Sequence, residues 1–382
     1  MPSNYRAFVM ATALLAVTAC ATTGATGSGA RPAAAAAKSQ QPVSVLSASF
    51  ASPSAGLALA EPKCSDQVNP CKTTVLIRKT VDGGRTWFSA PAPPAPPATM
   101  SQSSQPPDAV GQILFTSARD GWAYDPGLWR TRDGSASWQR VPVPGPVAGF
   151  TVSGGQMLAV IGGCDSSGNC AYRGYTARAG TSAWRPLPGT ALRTAGQEIP
   201  QLAVSGTTGY LVALTSDIAK PVLLAGPVTG SARWRALPVP CPAAWSAAVA
   251  AVPGSLFLGC GSEPGAGNQQ KTAYLSRDGG RTWHTLAGPP LGGYLNGATM
   301  TAGGTIFLSG GRMDVYISRD RGRSWHESPS LANAAGLANA GLSLVATTVT
   351  GTFGVAVQQQ VFTRQVWLTR DGGRDWSAVT LR

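Results

Sequence analysis

One eight-residue turn motif, Ser/Thr-x-Asp-x-Gly-x-Ser/Thr/Asp-Trp, recurs along the chain. The copies are Thr80-Val-Asp82-Gly-Gly84-Arg-Thr-Trp87, the close variant Thr131-Arg-Asp133-Gly-Ser135-Ala-Ser-Trp138, Ser276-Arg-Asp278-Gly-Gly280-Arg-Thr-Trp283, Ser318-Arg-Asp320-Arg-Gly322-Arg-Ser-Trp325 and Thr369-Arg-Asp371-Gly-Gly373-Arg-Asp-Trp376. Two worn copies keep the tryptophan, at Trp184 and Trp234, and have lost the aspartate. The series of tryptophans at 87, 138, 184, 234, 283, 325 and 376 is spaced by 42 to 51 residues. A period of that size, carrying a turn signal between strand-like runs, is the mark of an array of small sheets that stack on one another.

The residue types follow from what a hairpin needs. Asp-Gly between two strand-like runs is a strong turn signal, because glycine accepts a positive φ. The carboxylate and the hydroxyl two residues before it bond backbone N–H groups inside the turn. The tryptophan buries a large ring, expected between neighbouring units. The motif therefore reads as a device that holds a hairpin, in preference to a catalytic or calcium-binding site.

This motif resembles the Asp-box of sialidase-like β-propellers. Each repeat divides into four short alternating runs: 45–50, 56–60, 73–79 and 85–90 in the first, and 342–348, 353–357, 365–369 and 375–380 in the last. The expectation is an all-β, seven-bladed propeller with four antiparallel strands per blade, or six blades if a worn repeat is misread. The chain would start on an inner strand and end on an outer one, leaving ring closure to packing between the first and last blades. In the second repeat, Phe115-Thr-Ser-Ala-Arg-Asp120-Gly-Trp122-Ala, followed by Leu128-Trp129-Arg130-Thr131, is similar to the repeat of photosystem II assembly-factor-like (Ycf48-type) propellers. That resemblance implies a seven-bladed, non-catalytic protein.

The N-terminus reads as an export signal. Arg6 precedes a short apolar core, and Val17-Thr18-Ala19-Cys20 resembles a bacterial lipobox in which Cys20 becomes the lipidated first residue. Residues 1–19 are then a lipoprotein signal peptide and 20–42, rich in Ala, Gly, Ser and Gln, a flexible tether. Residues 43–382 form a single propeller domain. Of seven cysteines, six remain, and their placement as sequence neighbours points to bridges Cys64–Cys71, Cys164–Cys170 and Cys241–Cys260 in an oxidising compartment. The two histidines, His284 and His326, lie away from these pairs, so no zinc site and no other metal or cofactor is expected.

The formal net charge is +13. In an exported protein this favours anionic lipid or wall polymer over nucleic acid, for which no motif is present. A sialidase needs an arginine triad, a tyrosine paired with glutamate and an aspartate acid. The Arg-Ile-Pro element that carries the first arginine is missing, and the four glutamates Glu61, Glu198, Glu263 and Glu327 sit in no partner motif with a tyrosine. No catalytic residue is assigned. A binding or assembly scaffold is favoured, and a sialidase-like glycoside hydrolase is the alternative.

Propeller topology sorts the loops onto two faces. The box turns carry arginines such as Arg85, Arg132, Arg281, Arg323, Arg370 and Arg374, while most acids outside the boxes fall on the other face. A protein or glycan partner is expected there, with Asp66, Asp165, Glu198 and Glu263 as first candidates. The membrane would be reached through the lipid on Cys20. The proline-rich run 91–107 is expected to be an exposed, extended connection, because proline cannot donate to a sheet ladder.

Overall fold

The computed structural model describes residues 43–62, 74–98, 106–194, 199–215, 221–310, 315–328, 342–345, 352–358 and 364–381. Cys20 and the whole N-terminal segment, Cys64, Cys71, Asp66 and Glu198 lie outside the described residues.

Seven antiparallel sheets follow one another along the chain. Blade 1 is β1 (Val43–Phe50), β2 (Gly56–Pro62), β3 (Leu76–Thr80) and β4 (Phe88–Ala90). Blade 2 is β5 (Val110–Phe115), β6 (Gly121–Pro126), β7 (Leu128–Thr131) and β8 (Gln139–Arg140). Blade 3 is β9 (Val147–Ser153), β10 (Gln156–Cys164), β11 (Cys170–Arg178) and β12 (Arg185–Pro186), with β13 (Leu192–Thr194) added beside β11. Blade 4 is β14 (Gln201–Ser205), β15 (Thr208–Leu214), β16 (Pro221–Pro227) and β17 (Arg235–Leu237). Blade 5 is β18 (Ser246–Val252), β19 (Ser255–Gly261), β20 (Lys271–Ser276) and β21 (His284–Thr285). Blade 6 is β22 (Leu295–Met300), β23 (Ile306–Gly310), β24 (Val315–Ser318) and β25 (His326–Glu327). Blade 7 is β26 (Leu342–Val345), β27 (Gly354–Gln358), β28 (Gln365–Thr369) and β29 (Ser377–Thr380). The count is seven, not six, and the two worn repeats build blades 3 and 4.

The second strands depart from simple alternation. Leu57 to Ala60 in β2, Met157 to Ile161 in β10 and Leu256 to Cys260 in β19 are buried at every position. Blades pack face to face, so both sides of a middle strand lie inside, and continuous apolar runs replace the alternating pattern. The core is accordingly a ring of clusters between blades. Leu57, Leu59 and Ile77 meet Val110, Ile113 and Phe115 between blades 1 and 2. Leu158 and Val160 meet Leu211, Ala213 and Trp234 between blades 3 and 4. Each fully buried leucine of this kind contributes about 1.5–3 kcal/mol.

Among the described residues, no strand crosses from one end of the chain to complete the other end's sheet. Closure comes instead from Val45, Ala48 and Ala58 of blade 1 packed on Phe353, Val355, Val366 and Leu368 of blade 7. The Arg370 guanidinium adds a tether by donating to the Gly83 carbonyl.

The outer strands are shorter than the sequence pattern predicts, down to two residues in β8, β12, β21 and β25. Each begins just after the box tryptophan, whose turn takes up residues that otherwise read as strand. The start of the proline-rich run also differs from expectation. Ala95 is buried within the blade 1–2 cluster, and Pro97 bridges Val110 in parallel. The bridge needs no proline donor: Ala98 N–H donates to Val110 O (3.0 Å), and Val110 N–H to Pro96 O (3.0 Å). Residues 91–98 are therefore part of the inter-blade packing.

Candidate functional site

The boxes sit beside the first-to-second strand turns. Gly83 N–H donates to Ser54 O (2.8 Å), Gly134 N–H to Arg119 O (2.9 Å) and Gly372 N–H to Thr352 O (2.7 Å). Second-to-third turns and blade connections consequently occupy the opposite face.

Within a box the hydroxyl, the carboxylate and the turn N–H groups bond one another. In blade 5, Ser276 Oγ donates to Asp278 Oδ1 (2.8 Å) and accepts from Gly280 N–H (2.7 Å). Asp278 also accepts from the Thr282 N–H (2.9 Å) and from the Thr282 hydroxyl (2.6 Å). Gly280 holds φ at +91° with its Cα side against Leu237, where a Cβ would lie 2.6 Å from that side chain. The same net recurs around Asp82, Asp133 and Asp320. In each, the hydrogen bond from the hydroxyl at the penultimate position, then the backbone N–H of the same residue, draws the aspartate pKa below the carboxylate range. Thr369 and Asp371 repeat the first bond in blade 7 (2.8 Å), with Asp375 giving its N–H.

The tryptophans are mostly half-buried, and four of them fasten neighbouring blades. The indole N–H of Trp138 donates to Pro91 O (3.0 Å), that of Trp184 to Pro142 O (2.9 Å), that of Trp283 to Pro238 O (2.8 Å) and that of Trp325 to Ala287 O (2.8 Å). Every acceptor lies one or two residues past the outer strand of the preceding blade. Cations on this face act in the same way. Lys79 Nζ reaches Gly134 O (2.9 Å), Arg132 Nη2 reaches Gly180 O (3.4 Å), and Arg370 reaches Gly83. Part of the basic character of the box face is thus spent on blade-to-blade tethers.

The opposite face is built differently. Gln269, almost fully buried, accepts at Oε1 from Leu295 N–H (2.7 Å) and lies 3.1 Å from the Ser246 hydroxyl, and its amide donates to Ser262 O (2.7 Å). Lys271, also buried, directs Nζ at the carbonyls of Gln269, Pro290, Leu291 and Gly292 (2.7–3.1 Å), while Tyr316 donates its hydroxyl proton to Gly292 O (2.8 Å). These side chains clamp the 286–294 connection. No turn motif announces them, because their partners come from three separate segments. A cross-strand disulfide Cys164–Cys170 staples the second-to-third turn of blade 3, and Cys241–Cys260 ties the entry of blade 5 to β19.

Acids on this face fall into distinct environments. Asp165 is exposed but committed to its own turn, accepting from Ser167 N–H (2.9 Å), Asn169 N–H (3.0 Å) and Asn169 Nδ2 (3.3 Å). Glu263 is exposed in the second-to-third loop of blade 5. Asp125, at φ +78°, closes the second-to-third turn of blade 2, where burial pushes its carboxyl up to about 6. Burial likewise raises Glu61. The structure does not gather Asp165 and Glu263 into one cluster; they belong to blades 3 and 5. Among the described residues, no three His, Cys, Asp or Glu side chains come together as a set of metal ligands. A shallow groove of about 480 Å³ on blade 3 carries Tyr172, Arg173, Leu192 and Arg193.

Comparison with known proteins agrees with this architecture. Residues 274–285 match the BNR/Asp-box repeat. No curated protein matches the chain in sequence. Among solved structures, YCF48 bound to a D1 peptide is 15% identical, with a TM-score of 0.51 over 90% of this chain and 95% of that one. YCF48 from Cyanidioschyzon merolae is 14% identical, with a TM-score of 0.53 over 87% and 96% of the two chains. A prolyl endopeptidase structure aligns at 12% identity and a TM-score of 0.52, covering 88% of this chain and 50% of the other. The chain is a seven-bladed β-propeller carrying BNR/Asp-box repeats, similar in fold to YCF48.

Proposed function

We propose that the chain is an extracytoplasmic, lipid-anchored propeller that acts as a non-catalytic binding or assembly scaffold, meeting its partner on the face opposite the Asp-boxes. The observation that carries this reading is the state of the box carboxylates. The aspartates that recur through the chain are engaged at both carboxylate oxygens by hydroxyl and backbone donors inside their turns, which holds them ionised as parts of the hairpin and ill-suited to act as proton donors. The fold likeness to a YCF48 structure holding a peptide is in keeping with a binding role. The disulfides Cys164–Cys170 and Cys241–Cys260 favour an oxidising compartment outside the cytoplasm. The lipobox-like Val17-Thr18-Ala19-Cys20 supplies the anchor.

Two experiments bear on it. The purified mature chain, offered a panel of 4-methylumbelliferyl glycosides including the sialoside, is expected to release no fluorophore; turnover lost on changing an acid of the opposite face would establish the hydrolase instead. In the native host, Cys20→Ser is expected to move the protein out of the lipidated membrane fraction, and a variant that still carries lipid would refute the anchor.

A further inference from the structure

Six large hydrophobic side chains are markedly exposed among the described residues, and four of them, Ile199, Trp245, Leu291 and Tyr294, belong to the connections that enter blades 4, 5 and 6 on the face opposite the boxes. The hydrogen bonds place them on one surface. Trp245 donates its N–H to Gly261 O (2.7 Å) and precedes Ser246, whose hydroxyl faces Gln269. Gln269 takes the Leu295 N–H next to Tyr294, and gives its own N–H to Leu291 O (3.0 Å). Blade 4 joins through Gln201, two residues after Ile199, whose amide donates to Asn296 O (3.1 Å), two residues after Tyr294. Buried polar groups, Gln269 and Lys271, therefore hold a connection rigid while Leu291, 60% exposed, and Trp245, 45% exposed, face solvent. Ordering apolar side chains outward on a braced loop is costly in water unless another surface covers them.

We propose that this crescent is a docking site for an extended segment of a partner polypeptide, one that carries large apolar side chains and a neighbouring lysine or arginine. The charge pattern selects that occupant. In a chain of net charge +13, residues 199–201, 238–246, 261–270 and 286–297 contain no lysine or arginine, and their single charged residue is the exposed Glu263. An anionic lipid surface would call for cations at this rim and would be repelled by Glu263. A glycan platform stacks sugar rings on aromatic faces, whereas here the aliphatic Leu291, between Pro290 and Gly292, and Ile199, followed by Pro200, share the surface with Trp245 and Tyr294. Exposed, rigidly held Trp and Tyr with an aliphatic neighbour form the kind of anchor cluster that dominates polypeptide binding.

The inference rests on the scaffold reading, and its test separates the two. The mature, disulfide-intact chain is used to select from a phage library of random linear peptides, and one selected peptide is then titrated by fluorescence anisotropy. Selected sequences are expected to combine aromatic or aliphatic residues with lysine or arginine. Affinity is expected to fall about tenfold or more in Trp245→Gln and in Leu291→Gln, and to fall again in Glu263→Lys. Arg281→Ala, on the box face, should leave it unchanged. All four positions are exposed, so melting temperatures should stay within a degree or two of the parent, and the second apolar variant covers the case in which one of them does not fold. Peptides that bind equally well to Trp245→Gln, Leu291→Gln and Glu263→Lys would overturn this site and leave the scaffold reading standing. Failure to select any peptide would overturn it too. It would also fall if the same substitutions abolish binding to phosphatidylglycerol vesicles or dissolve a dimer of the chain, because the occupant would then be a membrane or a second copy. Glycoside turnover in the parent chain would sink the scaffold reading itself.

Discussion

The two faces of the propeller hold carboxylates in different settings, uniform on one and varied on the other. On the box face, aspartates such as Asp278 and Asp320 are wrapped by hydroxyl and N–H donors and titrate below the usual carboxylate range. On the other face, Asp125 and Glu61 are half-buried, and that desolvation raises both above it, while the exposed Asp165 is lowered by the donors of its own turn. A carboxylate surrounded by donors from its own turn is first of all a structural part. A carboxylate held in a costly environment is where a propeller retains reactivity or recognition at the expense of stability. The lesson is that the repeated, eye-catching acids mark the framework, whereas the unrepeated acids of the other face occupy settings that differ from one loop to the next.

The comparison can be broken first where the framework has lost its acid. In blade 4 the Trp234 ring is almost fully buried between blades 3 and 4 and substitutes for the missing turn network. Trp234→Ala should cost about 3–5 kcal/mol in denaturant unfolding. Trp283→Ala, whose ring is half-buried above an intact box, should cost clearly less. Equal losses would mean that the worn turns are no more dependent on the ring than the intact ones.

Asp125 gives the next effect, with opposite sign. Its folded pKa of about 6 exceeds the unfolded value, so the folded state binds the proton more tightly. Its contribution is therefore most favourable below about pH 4 and is lost as pH rises towards 6. Asp125→Asn keeps a residue that tolerates positive φ and should stabilise the protein by about 2–3 kcal/mol at pH 7.5, with no gain below pH 4. A stability loss at pH 7.5 would show that the charged form is satisfied there after all.

Ser276→Ala removes a buried hydroxyl from both Asp278 and Gly280 and should cost about 1–2 kcal/mol, with peptide affinity unaltered. The smallest effect is Asp278→Asn, read in the acid limb. A depressed folded pKa means stability that is present above the unfolded carboxylate pKa and lost as pH falls through the folded one. The variant should therefore show a shallower loss of melting temperature between pH 5 and about pH 2 than the parent. An unchanged acid limb would detach Asp278 from the turn.

How much of this could be seen in the sequence depends on how local the physics is. The boxes are self-contained over eight residues, and so their turns, their spacing and the seven blades were legible from Thr80 to Trp376. Cys164 and Cys170 were legible for the same reason, being six residues apart across one hairpin. Long-range partnerships left no such trace. Nothing near Lys271 says that its ammonium will meet carbonyls some 20 residues downstream. Ala95 gives no sign that a proline-rich run will pack into a core. Asp165 reads from its loop position as a candidate for contact with a partner, and only the geometry reveals that Ser167 and Asn169 use its carboxylate.

The division of labour between the faces is tested most directly by amide hydrogen exchange on the intact protein, alone and with a selected peptide bound. Added protection is predicted in residues 238–246, 261–270 and 286–297, with none in the turns that follow Thr80, Thr131, Ser276, Ser318 and Thr369. Protection confined to those box turns, with the connections into blades 5 and 6 unchanged, would place the binding face on the side of the Asp-boxes and contradict the account.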